Sequence, residues 1–147
     1  MTIYPEGFTD PKVEAFLTKF YQISDTPTAN AEYVDQFTDD ATLIMGLKTA
    51  IGDKNIRTLR ESMWGAIVGR HHVLTQVFPF QTVEQASELG QYALTGTVEF
   101  TLKNEKKVSV SWGAKMDLLR GKEGEQPKIK FYQVYVDSTP VVQALTS

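Results

Sequence analysis

The sequence predicts an α+β cone, with three N-terminal helices packed in the concave face of one curved, mostly antiparallel sheet. Three observations predict it. Apolar residues recur at helical spacing through the first part of the chain. The run Gln36-Phe37-Thr38-Asp39-Asp40-Ala41-Thr42-Leu43-Ile44-Met45 ends a helical pattern and passes directly into an apolar strand. The second half alternates with a two-residue period over long segments. Strands of that length twist rather than lie flat, and Gly96 and Gly113 permit bends. Helices in the hollow of such a sheet leave a small buried pocket between the two layers.

Asp10-Pro11 is a helix start, because Asp caps free amides and Pro fits the first helical position. Val13, Phe16, Leu17, Phe20 and Tyr21 then form one apolar stripe. Asp25-Thr26-Pro27-Thr28 breaks this helix. A shorter second helix carries Tyr33, Val34 and Phe37, and Ala41 to Met45 reads as a strand. Gly52-Asp53 opens a third helix with Ile56, Leu59, Met63 and Ile67 on one face and Arg60 in the same arc. His72 to Phe80 is strand-like, and Pro79 points to an edge or a bend. Tyr92 to Leu102 alternates clearly, Lys103-Asn104-Glu105-Lys106 turns, and Val108 to Met116 is the partner strand. Gly121 to Pro127 is a polar loop. Ile129 to Asp137 is the last strand, with Phe131, Gln133, Tyr135 and Asp137 on one side and Tyr132, Val134 and Val136 on the other. From Pro140 a tail is expected. There is no internal repeat or linker, so one domain spans 1–147, with its core at about 10–138.

The 147 residues suffice for one real core. With 41% apolar and 22% charged residues, the composition is that of a soluble globular protein. A net charge of −3 provides no basic excess to neutralise phosphates, so nucleic-acid binding is not expected. Cysteine is absent, which removes disulfides, thiol catalysis and thiolate metal sites together. No apolar run reaches bilayer length, and the N-terminus lacks the basic start and apolar stretch of a secretory signal. A cytoplasmic location without membrane association is therefore expected.

From about Val13 to about Asp137 the chain resembles the NTF2-like superfamily, specifically its SnoaL-like branch. The residues that carry the resemblance are Phe37-Thr38-Asp39-Asp40-Ala41-Thr42, the Gly52-x-x-x-Ile56 start of the third helix, and the closing Phe131-Tyr132-Gln133-Val134-Tyr135-Val136-Asp137. Their wording is most similar to SnoaL-like proteins of filamentous fungi. These are packing and capping residues, so they speak to fold more than to chemistry. Ketosteroid isomerase is a relative with known chemistry. Superposing the Asp-Asp-Ala-Thr runs places its helix-one tyrosine on Tyr21. Its general-base aspartate falls on Met45, which takes no proton, and its second aspartate falls near Trp112 to Ala114, where no acid stands. Steroid isomerisation is therefore not implied. The late-strand acid/base aspartate of polyketide-cyclase relatives is matched most nearly by Asp137. The resemblance also implies a homodimer.

Three residues are catalytic candidates. Tyr21 would donate its hydroxyl to an enolate or oxyanion; the plain alternative is a core tyrosine bonded to a carbonyl. His71 and His72 face opposite sides of a strand, and periodicity alone does not choose between them. His72 lies further into the strand and is the one selected as acid or base. Asp137 would gain basicity if buried; the alternative is a strand-end aspartate bonding the turn at Ser138-Thr139. Arg60 would hold an anionic ligand or pair with Glu99 or Asp137, unless its head reaches water over an apolar stem. Met45, Trp64, Phe78, Trp112, Met116, Phe131 and Tyr135 are the expected apolar lining. Asp39 and Asp40 read as turn and cap residues. Glu99 and Lys115, out of phase with the apolar sets, read as exposed or dimer-facing. No phosphate-binding loop, dinucleotide fingerprint or metal signature is present, so no cofactor and no metal is expected.

Together these residues point to a cofactor-independent isomerase, cyclase or lyase acting on a small hydrophobic carbonyl compound. The alternative is a small-ligand-binding or dimerisation module without catalysis, favoured by the missing base at Met45. A homodimer is expected through the convex sheet face, carrying Tyr132, Val134 and Val136.

Overall fold

The computed structural model describes residues 1–82, 84 and 88–147 and opens on helix α1 (Pro11–Ser24). Asp10 caps it by accepting from the Val13 amide, and the buried stripe is the predicted one. The same Asp10 carboxylate pairs with Arg120, which ties the helix start to the sheet. Helix α2 (Asn30–Asp35) is short and buries Tyr33. Strand β1 (Phe37–Met45) starts earlier than expected, so Phe37 is a strand residue. Asp39 and Asp40 are exposed strand residues, not a turn and cap. A short strand that the sequence reading did not find, β2 (Lys48–Ile51), folds back on β1 through Gly46-Leu47. Helix α3 (Asp53–Ser62) follows Gly52, whose φ of 86° suits glycine. Met63 and Ile67 lie beyond it.

The long strands are β3 (Ile67–Pro79), β4 (Leu89–Leu102), β5 (Lys107–Leu119) and β6 (Lys128–Val136). One six-stranded sheet results, in the order β2-β1-β6-β5-β4-β3. Within it β1 and β6 pair in parallel and the other neighbouring strands pair antiparallel. The expected tail instead forms helix α4 (Thr139–Thr146), with Pro140 in its first turn. The α+β cone is as predicted: α1 to α3 cover the concave face, and Phe20 meets Tyr21, Phe37 and Tyr132 edge to face beneath them. Among the described residues no helix is long and apolar enough to cross a membrane.

Two register shifts decide which side chains enter the hollow. Between Leu74 and Gln76, β3 carries an extra residue against β4. A bulge of this kind reverses the facing of every later residue. His72 and Leu74 therefore face inward while Phe78, of the same parity, pairs with Ala93 on the outer face and is exposed. The second shift lies in β6, where Phe131 pairs with Asp117 but Ile129 pairs with Leu118. Ile129 and Tyr132 are consequently both buried although three residues apart. The expected facing of the last strand is thus inverted. Tyr132 and Val134 are buried inside, and Tyr135 lies outside.

Candidate active site

A cavity of about 200 Å³ opens between the helices and the sheet. Its wall is largely apolar: Met45 from β1, Met63 and Ile67 after α3, Val98 and Phe100 from β4, Trp112 from β5, Val134 and Val136 from β6, and Val141 from α4. The polar side chains at its surface are Ser24, Tyr33, Arg70, His72, Tyr132, Asp137 and Ser138. A cavity of about 150 Å³ already holds benzene. The space therefore suits a compact ligand of one or two rings.

His72 is the best-organised of these groups. Its Nδ1 lies 2.5 Å from Asp25 Oδ1, and its backbone amide donates to Asp25 Oδ2 at 2.9 Å. One carboxylate thus grips both the ring and the main chain of the same residue. A carboxylate accepts only, so Nδ1 carries the hydrogen, and Nε2 has no partner among the described residues. The ring is held between Tyr21, at 5.3 Å, and Trp112, at 5.8 Å between centroids. Trp112 is itself fixed by donating Nε1–H to the Thr97 carbonyl.

Beside the imidazole stand two buried phenols. The Tyr21 and Tyr132 hydroxyls are 2.8 Å apart. Burial pushes both pKa values up, so both stay protonated. Tyr132 lines the cavity and Tyr21 does not. Whichever hydroxyl donates to the other, the partner's proton is left without an acceptor among the described residues. Tyr132 is thus the hydroxyl nearer a ligand, with Tyr21 behind it.

Asp137 is at the cavity rim, but its carboxylate accepts from the Thr139 amide at the start of α4. It is exposed, and the bonds to the Thr139 hydroxyl and amide lower its pKa, opposite to the shift expected of a buried base. Arg60 is fully buried, so its head does not reach water, and it does not line the cavity. It donates to the carbonyls of Ser24 at 2.8 Å, Thr26 at 2.7 Å and Ile23 at 3.4 Å, and to Asn30 Oδ1 at 3.1 Å. These carbonyls flank Asp25, so Arg60 fixes the segment that presents the carboxylate to His72. Neither Glu99 nor Asp137 pairs with it. Glu99 instead faces Lys107, and Lys115 faces Asp117, both part-exposed as expected.

Of the expected lining residues, Met45 and Trp112 reach the cavity. Met116 is fully buried in the core behind it, Phe131 lies under Lys115 on the outer face, and Phe78 and Tyr135 are exposed. Trp64 is wedged between two guanidinium groups, with Arg60 Cζ 5.0 Å and Arg70 Cζ 4.7 Å from its ring. Sequence reasoning missed Asp25, Tyr132 as an interior residue, and Arg70. A signal existed for Asp25, which lies four residues after Tyr21 and so shares its helix face. Arg70 precedes His72 by two and shares its strand face.

No protein-family model matches the chain, and no curated protein matches it. Solved structures do. A candidate scytalone dehydratase from Novosphingobium aromaticivorans is 12% identical with a TM-score of 0.73, over 86% of this chain and 83% of its own. A protein from Catenulispora acidiphila, solved in complex with S-DNPA, is 23% identical with a TM-score of 0.71, over 90% of this chain and 96% of its own. A candidate calcium/calmodulin-dependent protein kinase II association domain from Xanthomonas campestris is 14% identical with a TM-score of 0.76, over 94% of each chain. These likenesses show a shared fold, the α+β cone of helices on one curved sheet.

Proposed function

We propose that the protein is a cofactor-independent enzyme that moves a proton next to a carbonyl group of a compact, largely apolar ligand, as an isomerase, cyclase or lyase. The observation that carries this reading is the Asp25–His72 pair facing an apolar cavity beside the Tyr132 hydroxyl. The base at the Met45 position is missing, and His72 supplies one from another strand. In the proposed step His72 Nε2 takes a proton from the carbon beside the carbonyl. The electron pair moves to the carbonyl oxygen, which accepts a hydrogen bond from Tyr132, backed by Tyr21. Asp25 stabilises the imidazolium that forms. The imidazolium then returns the proton to another carbon, which is isomerisation, or to a departing β-hydroxyl, which leaves as water. Asp137 has no part in this step. The candidate scytalone dehydratase among the structural relatives accords with a lyase.

The test is deuterium exchange at the activated carbon of 2-tetralone in heavy water, followed by NMR. The protein should accelerate exchange beyond an equal concentration of imidazole. H72N and D25N should each lower the rate by about 100-fold or more, and Y132F by about tenfold. Exchange no faster than imidazole alone would leave a ligand-binding module, and full activity in H72N would reject the dyad.

Pairing of two copies is the second part of the proposal. The outer sheet face carries Val73 and Phe78 on β3 and Tyr135 on β6, all exposed, and Phe131 on the same face. This is the apolar face that a homodimer would cover, in place of Tyr132, Val134 and Val136. Sedimentation equilibrium should give twice the 16.5 kDa chain mass. A single-chain mass at all concentrations would exclude the dimer.

A further inference from the structure

We infer that the ligand carries an anionic oxygen, a carboxylate on a flat ring system, and that Arg70 is the residue that receives it. This rests on the cavity being the ligand site and adds the chemical class of its occupant.

Arg70 lies on the wall of the cavity two residues before His72, on the same face of β3. Its guanidinium stands over the Trp64 ring and 5.5 Å from the Phe100 centroid, which fixes its plane. Among the described residues it has no carboxylate partner. Nη2 donates to the Met63 carbonyl, Nε is buried without an acceptor, and Nη1 has none either. A half-buried guanidinium is ordinarily paired, because burying a lone charge is costly. The burial, reinforced by Arg60 across Trp64, lowers the Arg70 pKa to about 10, which records that cost. The surrounding charges do not remove it. Arg60 is a second cation bonded only to neutral oxygens. Asp25 is engaged by His72, and Asp137 is an exposed rim carboxylate screened by solvent. An incoming carboxylate would supply the missing partner, with its ring against the apolar wall and its reacting carbon on the His72 side.

The test compares benzoate, cinnamate and 2-naphthoate with their neutral amides by NMR titration of the whole protein. Acids that bind should do so at least about tenfold more tightly than their amides. R70M keeps the length of the side chain between Trp64 and Phe100 without its charge. It should bind the amides within about twofold of wild type and lose the preference for acids, while R70K should restore part of it. H72N should keep the preference, since equilibrium binding needs no turnover, so a failed exchange assay leaves this result standing. Equal binding of acid and amide, no binding by any acid, or an unchanged preference in R70M would overturn the assignment.

Discussion

Arg60 shows how one side chain can matter to a site it never touches. Its fork satisfies three carbonyls and the Asn30 side chain around the end of α1, and its plane packs 4.7 Å from the Tyr33 centroid. Replacing it with methionine keeps the bulk and leaves the Ser24 carbonyl and Asn30 Oδ1 without their donor, while the Ile23 and Thr26 carbonyls keep the backbone amides of Thr26 and Ala29. Each buried unpaired acceptor costs about 1–3 kcal/mol. R60M should therefore lose about 3 kcal/mol or more, seen as a thermal midpoint lower by about 10 °C. Exchange activity should fall with it even below the new midpoint, because the carbonyls on either side of Asp25 are released. An unchanged midpoint would show that Arg60 is not a structural tie. The reading of Arg60 as a ligand-binding or water-seeking arginine followed from its place on the third helix. Nothing in that local pattern reveals that the carbonyls of a broken helix, some thirty-five residues earlier, wait for a fork of donors.

At the scale of the elements, Gly96 and Gly113 look alike in sequence and differ in consequence. A Cβ on Gly96 would lie 2.2 Å from the Val73 carbonyl oxygen and 2.7 Å from the Trp112 ring. The same addition at Gly113 meets only the Leu94 carbonyl, at 3.7 Å. G96A must push apart β3 and the indole that forms the cavity wall, at a cost of about 3 kcal/mol in urea unfolding. G113A should stay within about 1 kcal/mol of wild type. Equal losses in the two variants would contradict this packing. The same elements show what could be read beforehand. The order of helices and long strands was legible because burial on one face leaves a periodic trace. The facing of Phe78, Tyr132 and Tyr135 was not, because the shifts near Thr75 and Lys130 each reset a two-residue period that otherwise looks continuous. His72 lies before the shift at Thr75, so its facing follows the parity of Leu74. Its partner was hidden for another reason: Asp25 is an ordinary helix-ending residue until β3 crosses it, 47 residues later. The short β2 and the last helix had too few residues to leave a pattern of their own.

For the whole molecule, the phenols that folding buries set the response to alkali. Burial raises Tyr4, Tyr33 and Tyr92 from 10.0 to about 12, and raises Tyr21 and Tyr132 as well. The folded protein therefore keeps these protons at pH values where the unfolded chain has lost them. Their contribution is complete below about pH 10 and declines as pH rises toward about 12. Tyr33, which is almost entirely buried, accounts for about 3 kcal/mol of this by itself. Arg70 and Arg60 act in the opposite direction, since burial lowers both folded pKa values, that of Arg70 to about 10, but they are two groups against five. Unfolding free energy, measured in urea at successive pH values, should thus be flat up to about pH 10 and fall steeply beyond it. In a Y135F background, which leaves only these five phenols, phenolate absorbance should rise together with loss of the fold and not ahead of it. Y33F removes one of the titrating protons, so its stability should fall less steeply than that of the wild type. Parallel curves for the two proteins would mean that the Tyr33 hydroxyl ionises freely in the folded state, and that the cavity is wetter than its lining residues imply.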